Sequence, residues 1–287
     1  MVRLIPRFPG VEKVANLPAL MYRTPDGLEG RDPEFIRRML PRLWLAANLY
    51  FRAEVEGFEN VPDEAVLFVG NHSGGASIPD SFVFNLAYHT YFTVEGRPLI
   101  GLAHEIITKS PFVGDFARKF GIVTAGPGKA SDLLKRGANV MVYPGGDVEA
   151  LRPTRDRHKI DFDGRKGFLK LAHANKVKIL PVVATGGQET LYVFNDGRAL
   201  AKMLRFDQFL RVKSLPITFS LPWGFLPGGL PNIPLPAKIR IQVLAPIDLH
   251  ELFGDEPDWN QAYDYVVSIM QVGLSNLAAK QVIPVLG

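Results

Sequence analysis

Residues 65–80 read Ala-Val-Leu-Phe-Val-Gly-Asn-His-Ser-Gly-Gly-Ala-Ser-Ile-Pro-Asp, an apolar run that passes directly into a polar, glycine-containing loop. The apolar run predicts a buried strand. His72 follows the end of that rigid element, and Gly74 and Gly75 remove side-chain bulk beside its imidazole. Asp80 returns a carboxylate to the same loop. A histidine, an acid and an open loop at a strand end predict a general base.

Further strands and helices alternate along the chain around this first strand. Strands are predicted over residues 53–58, 65–69, 98–103, 122–124, 139–143, 179–184 and 238–243. Helices are predicted over residues 81–89, 112–120, 130–135, 166–174 and 200–212, with a closing helix over 258–280. Strands separated by helices predict an α/β fold, a largely parallel or mixed sheet flanked by helices.

The N-terminal region differs from the rest of the chain. Residues 1–31 carry several prolines and glycines with little periodicity, which predicts an arm or extended cover. Asp32, Pro33 and Glu34 then predict a helix start, since an acidic N-cap followed by proline is typical there. This helix is expected to run toward Arg52. The predicted organisation is an N-terminal arm and amphipathic helix over residues 1–52 and a single α/β domain over residues 53–287.

The predicted N-terminal helix mixes apolar residues with arginines and contains Pro41, where we expect a kink. Its apolar stretch is too short and too interrupted to span a bilayer, which needs about 20 apolar residues. Two interpretations remain. The helix lies on an anionic membrane surface, with its arginines at the lipid head groups, or it packs on the protein core.

Composition restricts the compartment and the partners. The 287 residues include no cysteine, which excludes disulfides, a thiolate nucleophile and a cysteine-ligated metal. Residues 1–10 lack the continuous apolar core of a secretory signal, so a cytoplasmic location is expected. The net charge of +4 suits anionic partners such as phospholipid head groups or phosphorylated substrates. No motif for nucleic-acid binding is found, and nucleic acid is not predicted as a partner.

A second strand-end loop repeats the design of the first. Residues 141–152 read Met-Val-Tyr-Pro-Gly-Gly-Asp-Val-Glu-Ala-Leu-Arg, where a strand ends, glycines follow and acids are presented. Loops at the carboxyl ends of parallel strands carry the ligand sites of α/β sheets, so the two loops are expected to face one another across a cleft. The alternative is an ordinary glycine turn with solvated acids.

Basic residues follow the second loop, among them Arg152, Arg165 and Lys166. They either neutralise a phosphorylated substrate or form a solvated charged surface. Further on, residues 215–236 carry almost no charge and many prolines and glycines, which predicts neither a regular helix nor a central strand. Trp223 and Phe225 near the tip of this segment are either tucked against the core or exposed to a membrane or an acyl chain.

At these residues the chain resembles the glycerolipid and lysophospholipid acyltransferases. Asn71-His72 with the downstream Asp80 is similar to their Asn-His-x-x-x-x-Asp signature, and residues 143–146 are similar to their Phe-Pro-Glu-Gly motif. The branch acting on mono- and diacylglycerols looks closer still. Residues 145–151 resemble its Gly-Gly-x-x-Glu-Ala-Leu stretch, residues 165–168 its Arg-Lys-Gly-Phe stretch, and residues 180–186 its Val-Pro-Val strand with the glycine that follows.

Three departures from the family pattern matter. Seven residues, rather than four, separate His72 from Asp80, and the shorter spacing would fall on Ser77. Gly145 replaces the glutamate of Phe-Pro-Glu-Gly, which leaves Glu149 as the expected substrate-facing acid. Residues 121–127 lack the arginine by which the phosphatidate-forming branch holds its phosphate.

The resemblance implies a peripheral membrane enzyme that moves a fatty acyl group from acyl-CoA or acyl carrier protein to a hydroxyl of a lysophospholipid or acylglycerol. His72 would be the general base and Asp80 its orienting acid, with Asp147 as the substitute if Asp80 only caps the next helix. The implied substrate-binding residues are Asn71, Gly145, Gly146, Glu149, Arg152, Arg165 and Lys166. No metal and no cofactor beyond the acyl thioester co-substrate is expected.

Two other functions stay open at this point. His72 can activate water instead of an alcohol, which would make the chain an acyl-thioester hydrolase, or the chain can be a lipid-binding protein without catalysis. Other chemistries fail on the residues. No Gly-x-Ser-x-Gly elbow occurs, and His104-Glu105 is followed by Thr108 where a zinc protease needs its second histidine.

Overall fold

A computed structural model describes residues 28–111, 113–126, 128–206, 214–229, 232–281, 283 and 285. Residues 1–27 of the arm predicted over 1–31, and the end of the helix predicted over 200–212, lie outside the described residues. The division into a 1–52 region and a 53–287 domain stays a prediction.

The main sheet has seven strands in the order β1-β10-β6-β2-β5-β3-β4. The strands are β1 Glu54–Glu56, β2 Leu67–Gly70, β3 Leu99–Ala103, β4 Ile122–Thr124, β5 Asn139–Val142, β6 Ile179–Thr185 and β10 Arg240–Val243. Strand β10 runs antiparallel to β6, and every other pair in this sheet is parallel. The predicted α/β fold with a largely parallel or mixed sheet is confirmed.

Helices lie between the strands. They are α1 Pro33–Leu49, α2 Pro79–Tyr91, α3 Glu105–Thr108, α4 Gly114–Lys119, α5 Lys129–Lys135, α6 Gly146–Ala150, α7 Gly167–Asn175, α8 Arg198–Met203, α9 Leu249–Phe253 and α10 Trp259–Ala279. Helix α1 begins as predicted, with the Asp32 side chain accepting from the Phe35 N–H at 2.9 Å, and it continues through Pro41. No helix among the described residues is long and apolar enough to cross a membrane.

Alternating side chains of the strands bury two faces of the sheet. On β2, Leu67 and Val69 join a core cluster that includes Leu274 of α10, while Phe68 joins a second cluster with Ile36 of α1 and Phe84 of α2. Helices therefore cover both faces, and the continuous apolar run of β2 reflects burial on both sides. Helix α1 packs on the core through Ile36, whereas Leu45 and Leu49 near its end are exposed.

The prediction for residues 215–236 was partly wrong. Three short strands, β7 Tyr192–Val193, β8 Ile217–Ser220 and β9 Gly224–Pro227, form a separate antiparallel sheet with β8 in its centre. The five residues between Pro216 and Pro222 include no proline, which is enough for a strand of this length. Pro216 directly precedes β8 and Pro227 is the last residue of β9, so both lie at strand ends, where a missing N–H does not interrupt the pairing.

Candidate active site

The two predicted strand-end loops meet because β2 and β5 are parallel neighbours. Val69 pairs with Val142, so both strands deliver their following loops to the same edge of the sheet. There the ring of Tyr143 stacks on the imidazole of His72, with ring centroids 4.3 Å apart and planes 24° from parallel. The two predicted loops thus meet at His72, and the Tyr143 ring packs on one side of its imidazole. The cleft expected between the loops stays a prediction.

Asp80 lies beside the His72 ring, in the first turn of α2. Its Oδ2 is 3.4 Å from His72 Nδ1 and accepts the Ser73 N–H at 2.7 Å. Its Oδ1 accepts the Ser81 N–H at 2.8 Å. The N-cap position of α2 is Ile78, without a side-chain cap, so the alternative of Asp80 as a simple helix cap is wrong. Asp80 instead joins the loop to the helix and presents a carboxylate to the imidazole.

This geometry selects one tautomer of His72. A carboxylate at Nδ1 favours the proton on that nitrogen, which leaves the lone pair on Nε2. Within the described part of the chain, Nε2 makes no hydrogen bond, and the His72 side chain is 12% exposed. The imidazole can therefore accept a proton from a group that enters beside it.

A buried ion pair holds the backbone of His72. Glu149 Oε2 accepts the His72 N–H at 2.9 Å, and Arg152 donates to the His72 carbonyl oxygen at 2.7 Å. The two side chains are 3.0 Å apart and almost fully buried. Burial raises the pKa of the Glu149 carboxyl, and this is opposed by Arg152 and by the N–H groups of His72 and Asp161. Removing one partner of such a pair would leave the other buried without compensation.

Tyr143 contributes a neutral, flat surface. Burial, together with the nearby Asp80 carboxylate, raises the pKa of its hydroxyl well above the usual value, and the hydrogen bond with Ser81 acts in the opposite direction. The ring therefore carries no charge while it supports the imidazole. Sequence reasoning identified the Tyr143 loop but missed this stacking, since nothing local indicates which residue a strand-end aromatic will contact.

The part of the chain that carries these loops is similar to known proteins. Residues 52–185, which hold both loops, match the family model described as Acyltransferase. This segment, just under half of the chain, is similar to the acyltransferase family, and the resemblance seen in the motifs is confirmed.

Similar proteins match a longer part of the chain than the family model does. An uncharacterized protein of Mycobacterium tuberculosis (strain H37Rv) is 33% identical over 79% of this chain and 62% of its own length. The mouse DGAT1/2-independent enzyme synthesizing storage lipids is 29% identical over 75% of this chain and 66% of its own length. This chain spans about three fifths of the length of the mycobacterial relatives it matches.

A solved structure shares the fold of this chain. The 1-acyl-sn-glycerophosphate (LPA) acyltransferase PlsC of Thermotoga maritima aligns with a TM-score of 0.55 at 21% identity, covering 88% of this chain and 83% of that one. At this identity the likeness concerns the fold.

Two of the predicted substrate-binding residues, Asn71 and Arg165, bind backbone groups of the protein. Asn71 is buried, and its side-chain amide donates to the Ala184 carbonyl and accepts the Ala184 N–H, which ties the loop to β6. Arg165 donates to the Pro144 carbonyl oxygen at 2.9 Å and lies 3.6 Å from Asp147. Asp147 thus pairs with Arg165 on the second loop, and Asp80 is the acid at the His72 ring.

Lys166 lies apart from the site. Its ammonium donates to Asn260 in the first turn of α10. A contact with substrate near His72 is therefore not supported by its position. The sequence gave no signal that Lys166 and Arg165 have different partners, because their side chains take different directions only in the tertiary structure, just before α7 begins.

Gly145 explains the departure from Phe-Pro-Glu-Gly. A Cβ at this position would lie 2.5 Å from Glu149 Oε2 and 2.8 Å from the Asp161 carbonyl oxygen. The absent side chain leaves the space that the Glu149 carboxylate occupies. Glu149, predicted as a substrate-facing acid, is directed instead at the backbone of the histidine loop and is assigned a positioning role by these contacts. Gly146, next along the loop, has a φ of 53° and donates its N–H to the Tyr143 carbonyl oxygen.

Gln188 is a further residue that sequence reasoning missed. Its Oε1 accepts the Gly74 N–H at 3.2 Å, and its amide nitrogen donates to the Arg152 carbonyl oxygen at 2.6 Å. It follows the glycine-ended strand β6, whose closing Gly186-Gly187 pair was the available signal. Gln188 therefore links the loop after β6 to both loops of the site.

A small charged cavity of about 180 Å³ adjoins the buried ion pair. Its lining includes Glu149, Arg152, Arg155, Lys159 and Arg198. Typical ligand pockets measure about 300–1,000 Å³, so the cavity is too small for an acyl chain or a whole lipid head group. Part of the predicted basic group thus lies next to the site, behind the histidine loop.

Proposed function

We propose that the protein transfers a fatty acyl group from an acyl thioester, acyl-CoA or acyl carrier protein, to a hydroxyl of a glycerolipid, either a lysophospholipid or an acylglycerol. The match of residues 52–185 to the Acyltransferase family model supports acyl transfer, and the similarity to a mouse enzyme that synthesizes storage lipids supports a glycerolipid product. The absence of arginine from residues 121–127 favours an acylglycerol over a phosphorylated acceptor.

The observation that carries this proposal is the contact between the His72 imidazole and the Asp80 carboxylate. His72 Nε2 takes the proton of the acceptor hydroxyl as its oxygen attacks the thioester carbonyl, and Asp80 stabilises the imidazolium through Nδ1. Collapse of the tetrahedral intermediate expels the thiolate, which receives the proton back from His72. No covalent enzyme intermediate and no cofactor beyond the thioester is needed.

Backbone amides of the glycine segments are candidate donors to the developing oxyanion. The N–H groups of Gly74 and Gly146 already donate to Gln188 and to the Tyr143 carbonyl oxygen. Gly75 and Gly145 are therefore the two remaining candidates. Both lie within the loops that face each other at the histidine.

The test uses purified full-length protein, one acyl-CoA and a mixture of lysophospholipid, monoacylglycerol and diacylglycerol acceptors, with products identified by mass spectrometry. His72→Ala should lower kcat by about 10²- to 10⁴-fold, the range of general-base catalysis, without loss of the folded state. His104→Ala, at an exposed histidine, serves as the matched control and should retain full activity. Full activity of folded His72→Ala would reject the mechanism.

Two rival functions are separated by the same assay. Equal release of free fatty acid with and without lipid acceptor would indicate a thioester hydrolase. Vesicle binding with no product from any donor and acceptor would indicate a lipid-binding protein without catalysis. The interlocked His72, Asp80 and Glu149 contacts favour a catalytic role over simple binding.

We also propose that the protein works as a peripheral protein on the cytoplasmic face of a membrane. A glycerolipid acceptor resides in the bilayer, and the net charge of +4 suits anionic head groups. Fractionation of cells that express the full chain, with salt and carbonate washes, tests this location. Release of the protein by these washes is the expected result.

A further inference from the structure

The three-stranded sheet β7-β8-β9 has its hydrophobic pattern inverted. On β8, Ile217 and Phe219 point to solvent, while Thr218 and Ser220 are buried. A sheet with one solvated face normally places its apolar residues inside. Thr218 satisfies its hydroxyl internally, by donating to the Leu226 carbonyl oxygen at 2.9 Å. The apolar side chains of β8 therefore lie on the outer face of this sheet.

Aromatic side chains make this outer face continuous. Strand pairing places Phe219 between Tyr192 and Phe225 in one row across the sheet. Phe194 contacts both Tyr192 and Phe225, with ring centroids 4.7 and 5.5 Å apart, and Phe219 lies 5.3 Å from Phe225. These side chains and Ile217 are between 37% and 67% exposed. Contiguous apolar surface of this kind marks an interaction site.

Cations adjoin the apolar face. Between Thr190 and Phe206 the sequence holds Arg198, Lys202 and Arg205 but only one acid, Asp196. The three cations are exposed on α8 or just after it, beside the exposed Met203 and Leu204. Helix α8 is joined to the sheet, since the Gly197 carbonyl oxygen accepts the Leu215 N–H just before β8. An apolar face bordered by cations is complementary to an anionic bilayer surface.

The sheet is also connected to the catalytic loop. Ser77 in the loop of His72 donates to Asn232 Oδ1 at 2.5 Å, shortly after β9. Leu191, directly before β7, lies against both Gly75 in that loop and Gly229 after β9. A membrane that binds this sheet would therefore lie close to the loop that carries His72. A lipid acceptor would have only a short distance to travel from that membrane to His72.

We infer that the outer face of β7-β8-β9, defined by Tyr192, Phe194, Ile217, Phe219 and Phe225, is the membrane-docking surface of the protein and that its ligand is an anionic phospholipid bilayer. Trp223 in the β8-β9 turn lies at the rim of this docking surface, where an indole suits the head-group region. The inference deepens the proposed function, because it names the surface from which the acceptor is taken, but binding needs no turnover.

The test measures binding of the full chain to vesicles of phosphatidylcholine alone and of phosphatidylcholine mixed with phosphatidylglycerol, by flotation and without substrate. Wild type and His72→Ala should bind the mixed vesicles equally. The double variant Phe219→Ser, Phe225→Ser should bind at least about tenfold more weakly, since two large apolar side chains no longer enter the bilayer. Its thermal unfolding midpoint should match wild type, because both rings are exposed.

Leu45→Ser, Leu49→Ser is the matched control, since it removes the exposed apolar pair of α1 instead. This control should bind as wild type does. Lys202→Glu, Arg205→Glu should abolish the preference for anionic vesicles. A blue shift of tryptophan emission on vesicle addition should disappear in Trp223→Phe, while Trp44 and Trp259 remain as background.

Three results would overturn the inference. They are absence of vesicle binding by wild type, undiminished binding by the Phe219/Phe225 double variant, and loss of binding in the α1 control alone. A concentration-dependent dimer that the Phe219/Phe225 variant abolishes, without vesicle binding, would assign the face to a second copy of the chain. Because all readouts omit substrate, a failed docking surface is distinguishable from a failed catalytic mechanism.

Discussion

At the scale of single residues, the backbone of His72 is held more firmly than its ring. Glu149 accepts the N–H of His72 and Arg152 donates to its carbonyl oxygen. Among the described residues, the polar and ring contacts of the imidazole are with Asp80, Ser81 and Tyr143. The backbone contacts therefore fix the position of His72, while its Nε2 makes no hydrogen bond among the described residues. Preorganisation of this kind is what positions a general base for reaction.

Arg152→Lys tests the positioning role of the guanidinium. Arg152 donates to the carbonyl oxygens of His72 and Glu149, at 2.7 and 2.8 Å, and pairs with the Glu149 carboxylate. A single ammonium cannot reproduce that planar set of donors. We expect the free energy of unfolding to fall by about 1–3 kcal/mol and kcat to fall with it. Urea unfolding and steady-state kinetics provide the two measurements.

Arg155→Lys is the control for this substitution. The Arg155 side chain is 80% exposed, so its replacement should change stability by less than about 0.5 kcal/mol. If Arg152→Lys behaves like Arg155→Lys in both measurements, Arg152 does not position the histidine loop.

At the scale of elements, the edge of the sheet that carries the site depends on close backbone approach between β6 and β10. Gly186 closes β6 with a φ of 91°, and a Cβ there would lie 1.9 Å from the Lys238 carbonyl oxygen. Only glycine fits both constraints. The turn also carries the chain on to Gln188, which bonds to Gly74 and Arg152.

Gly186→Ala should therefore lower the free energy of unfolding by about 2–4 kcal/mol, because a backbone clash is added to left-handed strain. Gly128→Ala is the matched control, since Gly128 has a φ of 75° with no atom within 4 Å of the added Cβ. Strain alone predicts a loss of about 1 kcal/mol for the control. Equal losses in the two variants, measured by urea unfolding, would contradict the close approach at Gly186.

At the scale of the whole molecule, buried polar groups make stability depend on pH. His89 of α2 is 1% exposed, and neither ring nitrogen has a hydrogen-bond partner among the described residues. Burial, aided by the charge of Arg31, lowers the pKa of His89 to about 3. The folded protein therefore keeps this imidazole neutral below the pH at which the unfolded chain binds a proton.

The sign of the effect follows from proton linkage. Between the unfolded pKa of about 6.5 and the folded value of about 3, the unfolded state binds the extra proton, so stability falls on acidification by up to about 1.4 kcal/mol per pH unit. His89→Leu removes this dependence. We expect its stability advantage over wild type to grow steadily from about pH 6.5 down to about pH 4.5 in urea unfolding. Parallel stability curves for the two proteins would exclude His89 as the cause.

Local patterns in the sequence determined most of the fold and the place of the site. Apolar runs in the sequence predicted all seven strands of the main sheet. Glycines after the strand ends predicted the loops that carry His72 and Glu149. These features are local, because burial periodicity and caps act over a few residues. The pairing of His72 with Asp80 was also predicted, despite spacing that departs from the family motif.

Tertiary structure alone decided how those residues face one another. The stacking of Tyr143 on His72, the Glu149 carboxylate beneath the loop and the separation of Lys166 from the site depend on register between strands far apart in sequence. The inverted β7-β8-β9 sheet escaped prediction for a related reason. Its strands have two to four residues each, too few for a clear strand signal, and the side on which their apolar residues lie depends on pairing across the small sheet.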